Sequence, residues 1–103
     1  MASAAVVKQM KDFVALIDIC GIKLRRAILF GSYARNKQTK YSDIDMALVA
    51  DEFCSVPTED VKLFLHAMRK YYMVQPQTYN TNDFTPDKDP FVEEIIKTGI
   101  EIM

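Results

Sequence analysis

Asp43 and Asp45, separated by a single residue, carry the first chemical signal in the sequence. They open an apolar run ending at Ala50 that reads as a β-strand. Side chains alternate faces along a strand, so Asp43, Asp45 and Ala47 point one way and Ile44, Met46 and Leu48 the other. Two like charges held together repel. A hard divalent cation relieves that repulsion, and Mg2+ commonly takes one or two carboxylates together with substrate phosphates. The second signal lies upstream, where the apolar run Ala27-Ile28-Leu29-Phe30 stops at Gly31-Ser32. Glycine lets backbone amides approach a phosphate closely. A helix beginning there attracts anions to its N-terminus, and the Ser32 hydroxyl adds a donor. Gly-Ser turns are common, and an isolated Asp-x-Asp is usually a solvated strand face. Their conjunction is the specific feature: acids aimed inward at the start of a core strand need a ligand to account for them. Arg35 follows the turn and could meet a phosphate or pair with a carboxylate. Ser42, just before Asp43, could cap or orient the start of the strand.

The elements that must position these residues alternate helix and strand, which favours an α/β layer architecture. Residues 3–20 read as a helix, with Met10, Phe13, Val14 and Ile17 on one stripe and Gly21 as its stop. Residues 24–31 read as a strand covered on both faces. A turn and a short helix over Tyr33–Asn36 follow, then a polar loop over Lys37–Tyr41 whose lysines are expected in solvent, and a strand over residues 43–50. Residues 57–71 read as the clearest helix. Pro57 and Thr58 stand at its start, and Glu59 and Asp60 in its first turn, where the helix dipole favours acids. Val61, Phe64, Leu65, Met68 and Tyr72 form its apolar face. His66 on that helix reads as structural. Residues 72–79 suggest a third strand, which Pro76 confines to an edge or an irregular position. Residues 80–89 are rich in turn formers. Asp89-Pro90 reads as the start of a last helix that runs to Thr98 and closes at Gly99, followed by a tail or short strand.

The length, 103 residues, fits one domain spanning residues 1–103. Half of the residues are hydrophobic and 26% charged, an ordinary globular profile. With 13 basic against 14 acidic residues there is no strong nucleic-acid signal, and no basic cluster resembles a membrane-surface patch. Cys20 and Cys54 form no CxxC pair and read as reduced thiols, so a cytoplasmic location is expected. The run Ala4-Ala5-Val6-Val7 is too short for a signal-peptide core or a membrane span and is followed by Lys8 and Lys11.

The stretch GSYARNKQTKYSDID resembles the nucleotidyltransferase superfamily typified by DNA polymerase beta, in particular its minimal nucleotidyltransferases. The pattern there is Gly-Ser, a gap, then Asp-x-Asp. In the small members it extends to Gly-Ser-x-Ala-Arg-Gly, which Gly31, Ser32, Ala34 and Arg35 match. The resemblance implies the nucleotidyltransferase fold, an α+β structure with a small mixed central sheet of three or four strands flanked by helices. It implies that Asp43 and Asp45 are the catalytic acids and ligate Mg2+, two ions being the usual number. Gly31 and Ser32 would hold the β- and γ-phosphates of a nucleoside triphosphate, with ATP the expected one, and Arg35 and Ser42 would assist. The implied reaction transfers a nucleoside monophosphate, expected to be AMP, to a hydroxyl. Asn36 replaces the pattern's second glycine and tolerates the left-handed conformation better than most residues. The superfamily places a third carboxylate on the third strand. Here Gln75 and Gln77 occupy that stretch, and Gln75 is the expected substituted position. Asp83 lies too far along the chain to replace it.

Larger relatives carry a second domain for the acceptor, for which this length leaves no room. The acceptor is therefore expected on a partner protein or a second copy of the chain. Small members often pair with a helical HEPN-domain protein as toxin and antitoxin, which implies an antitoxin that adenylylates its toxin. The alternative is a binding module with catalysis impaired by Gln75, acting on a nucleotide or by contact with its partner. A plain structural α/β domain is the third reading.

Overall fold

The computed structural model describes residues 3–103. Helix α1 (Ala4–Ile19) begins at Ser3, whose hydroxyl accepts the Val6 N–H at 3.3 Å, an N-cap that the sequence stripe did not require. Its stripe is as expected, with Met10, Phe13 and Ile17 fully buried. Gly21, at φ +93°, turns the chain away. Strand β1 (Leu24–Phe30) and strand β2 (Ile44–Ala50) pair antiparallel. Strand β3 (Val74–Asn80) runs parallel to β2. A parallel neighbour requires a crossover connection, supplied by a four-residue helix α2 (Pro57–Asp60), a 3-10 turn (Val61–Phe64) and helix α3 (Leu65–Lys70). Helix α4 (Phe91–Thr98) leads to strand β4 (Ile100–Glu101), which pairs antiparallel with β1. The sheet order is β3-β2-β1-β4, so the sheet is mixed, four-stranded and flanked by helices.

Alternation along the strands divides the core. Ala27, Leu29, Ile44, Met46, Leu48 and Ala50 face α1 and the crossover helices, where Phe13 meets Phe64 edge-on at 6.3 Å. Ile28, Ala47, Val49 and Tyr79 face α4 through Val92 and Ile95. Asp45 therefore lies on the α4 side.

Two expectations are corrected. Residues 57–71 do not form one helix: the path breaks at Phe64 (φ −136°, ψ 41°) as that ring turns into the core. Asp60 is drawn inward too. Its carboxylate accepts the Cys54 N–H at 2.9 Å and the Thr78 hydroxyl at 2.6 Å, tying α2 to β3. Leu65 and Tyr72, expected on the buried face, are exposed. Nor do residues 33–36 form a helix. They are a series of turns, in which the Arg35 N–H reaches Gly31 O at 3.2 Å and the Lys37 N–H reaches Ser32 O at 2.8 Å. With Asn36 at φ +57°, the left-handed residue ends the turn before a second helical bond can form.

No helix among the described residues is long and apolar enough to cross a membrane.

Candidate functional site

Gly31 ends β1 at φ +75°, the left-handed region that favours glycine. Phe30 is the register partner of Asp45 on β2, so the turn and the acid lie side by side. A β-carbon built on Gly31 would collide with an Asp45 carboxylate oxygen. Glycine is therefore required here twice, by backbone conformation and by the side chain pressed against it. Burial, and secondarily the charge of Asp43, hold the Asp45 pKa above the usual carboxylate range. That second cause places the two acids in one electrostatic neighbourhood, as strand alternation predicts. Asp43 is exposed and Asp45 half-buried at the start of β2.

Arg35 reaches the same place. A cavity of about 240 Å3 is lined by Phe30, Gly31, Arg35 and Asp45 on one side and by Phe91, Glu94, Ile95 and Thr98 of α4 on the other. Phe30 and Phe91 meet edge-on at 5.7 Å and close its apolar part. Among the described residues Arg35 has no ion-pair partner, which leaves its guanidinium available to an anion. The Ser42 hydroxyl accepts the Thr39 N–H at 2.9 Å and braces the loop before Asp43.

Gln75 is the register partner of Asp45 on β3, whereas Gln77 is paired with Ala47. The neighbour of the buried acid is thus a neutral amide. Asp83 cannot serve in its stead. It binds the Ser55 hydroxyl at 2.6 Å and Lys88 at 3.2 Å, beyond the far end of β3, and those partners hold its pKa low. Among the described residues no group of three or more His, Cys, Asp or Glu side chains is arranged to hold a metal ion. Two carboxylates with an anion-receptive turn beside them still fit a cation that arrives with phosphates, since Mg2+ usually keeps water and substrate oxygens among its ligands. No motif in the sequence signals the contribution from α4. Phe91, Glu94 and Thr98 lie far along the chain from either motif and join the cavity only because α4 packs on the Asp45 face of the sheet.

The sequence pattern of the polymerase beta nucleotidyltransferase family matches residues 16–103. A Methanocaldococcus jannaschii protein provisionally named a protein adenylyltransferase is 28% identical over 100 residues, covering 94% of this chain and 95% of its own. A crystal structure from Sulfolobus solfataricus, provisionally described as a nucleotidyltransferase, shares the fold with a TM-score of 0.63 at 18% identity, over 92% of this chain and 77% of that one. The family match takes in both halves of the motif and the strands that carry them, and the chain belongs to the polymerase beta-type nucleotidyltransferases.

Proposed function

We propose that this protein binds a Mg2+-nucleoside triphosphate, ATP in the first instance, and transfers its nucleoside monophosphate to a hydroxyl on a partner protein. The observation that carries this reading is the contact between Asp45 and Gly31 at the end of β1. Asp43 and Asp45 would hold the cation, which neutralises the triphosphate charge when bound. Gly31 and Ser32 would receive the phosphate tail and Arg35 would steady it; Ser42 would brace the loop before Asp43, with its hydroxyl proton still able to meet a phosphate. In the reaction the acceptor hydroxyl gives up its proton to water as its oxygen bonds to the α-phosphorus, the bond from that phosphorus to the β-bridging oxygen breaks, and pyrophosphate leaves. Positioning and charge neutralisation supply most of the rate in such chemistry. The name of the Methanocaldococcus jannaschii relative supports a protein acceptor. The family resemblance supports a HEPN-type toxin as that acceptor, with this chain as a cytoplasmic antitoxin.

Calorimetric titration tests the binding step. Mg2+-ATP should bind the wild-type protein and fail to bind the Asp43→Asn, Asp45→Asn double variant. Equal heats from both would remove the basis of the assignment.

A second reading has an observation of its own. Gln75, beside Asp45, cannot act as a base or carry the charge of a third acid. The protein would then bind nucleotide or partner without turnover. Label from ATP should reach the partner if the enzyme is active and stay unincorporated if it is a module. Gln75→Glu should raise transfer in either case, and an unchanged rate would show that this strand position does not contribute to catalysis.

A further inference from the structure

The cavity beside Asp45 contains an acid that neither motif supplies. Phe91, Glu94, Ile95 and Thr98 reach it from α4 at helical spacing, so they share one face of that helix. Glu94 is the one charged side chain among them. Its neighbour Glu93, on the same turn, does not line the cavity. Asp89 caps the start of the helix and Gly99 packs its end against Ile28, so Glu94 is carried on a fixed wall. It is exposed, and among the described residues it forms no ion pair. Arg35 lines the same cavity and forms none either. Two opposite charges thus share one cavity without meeting.

A third metal ligand is not what this position offers. Among the described residues Glu94 does not join Asp43 and Asp45 in a group of three arranged to hold a metal ion. The like charge that raises the Asp45 pKa is that of Asp43. Glu94 stands apart from that pair, on the α4 wall. A phosphate is equally unsuited to it, since like charges repel. What an ionised carboxylate accepts is an N–H or O–H donor. A ligand that suits both walls is therefore anionic toward Gly31 and Arg35 and carries neutral donors toward Glu94. In a nucleotide the sugar is bonded directly to the α-phosphate, so its hydroxyls are the donors nearest the phosphates. The amino group of a base lies farther out. Phe30 and Phe91 meet edge-on at 5.7 Å, and Phe91 is 48% exposed, which leaves an apolar surface for the carbon face of the sugar.

We propose that the Glu94 carboxylate accepts hydrogen bonds from the ribose hydroxyls of the bound nucleotide and so selects ribonucleoside over deoxyribonucleoside triphosphates, an assignment that rests on the nucleotide reading above.

The test is calorimetric titration of the full chain with the Mg2+ complexes of ATP and of dideoxy-ATP, which lacks both ribose hydroxyls. Wild type should bind ATP about tenfold to a hundredfold more tightly, the usual worth of hydrogen bonds to a charged acceptor. In Glu94→Ala the two nucleotides should bind alike. The ratio is the readout, because removing a negative charge from the cavity should strengthen both complexes. Glu93→Ala removes the same charge from the same turn, outside the cavity, and should keep the wild-type ratio. Both positions are exposed and alanine favours helix, so circular dichroism should show both variants folded. A ratio that survives in Glu94→Ala, or that vanishes equally in Glu93→Ala, overturns the assignment. If wild type takes up both nucleotides alike, the ribose assignment alone has failed. If it takes up neither, the nucleotide reading has failed and the ribose assignment with it.

Discussion

Gly31 and Asp45 set the tolerances of the candidate site. Gly31→Ala should lose Mg2+-ATP binding in calorimetry. It should also lower stability in urea melts by at least about 1–2 kcal/mol from the left-handed backbone alone, with the collision against Asp45 added. The Asp45 pKa is raised in the fold, chiefly by burial and then by Asp43. The folded state therefore favours the protonated acid, and Asp45 contributes stability at low pH that is lost as pH rises through its folded pKa. Asp45→Asn should accordingly raise the melting temperature at neutral pH and leave it nearly unchanged in acid. Thermal melts across that range test the sign, and a variant less stable than wild type at neutral pH would contradict it. At this scale much was legible in the sequence. The shared side of Asp43 and Asp45 follows from a local alternation that needs no tertiary information. The contact with Gly31 depends on β1–β2 register, and the distinction between Gln75 and Gln77 on β2–β3 register. Spacing along the chain specifies neither.

Among the elements, the strands and α1 agreed with their patterns because each apolar face they carry has a packed layer to cover it. The crossover did not. Its helical spacing is genuine, but Phe64 and Asp60 both find better partners inside than a straight helix would allow. Sequence placed Asp60 in the first turn, where the helix dipole favours an acid, and the structure keeps it there while burying it on Cys54 and Thr78. Removing the Asp60 carboxylate leaves the Cys54 N–H and the Thr78 hydroxyl without their acceptor, at about 1–3 kcal/mol for each buried group. Asp60→Ala should show a loss of that order in chemical denaturation. Thr78→Val should cost about 1–3 kcal/mol, since it strands one carboxylate oxygen. Losses within a few tenths of a kcal/mol would mean that the α2–β3 tie is dispensable.

For the whole molecule, stability rests on two apolar layers on opposite faces of one sheet. Phe64 closes the larger layer against Phe13 and Phe53, and it is fully buried. Phe64→Ala should cost about 3–5 kcal/mol, a large part of the roughly 5–15 kcal/mol that a domain has in all, and should lower the urea midpoint accordingly. The other layer bears on how the cavity works, because α4 is both its lid in position and part of the core in substance. Asp89 accepts the Phe91 N–H at 3.0 Å and the Tyr79 hydroxyl at 3.1 Å, which fixes the start of the helix to β3. At its end Gly99 packs too closely on Ile28 to admit a side chain, and the Ile102 N–H bonds Ala27 O at 2.8 Å. A wall held at both ends does not swing. Its amides should exchange with deuterium no faster than those of the sheet beneath it, and small anions should enter by plain diffusion, with no slow gating step in their binding traces.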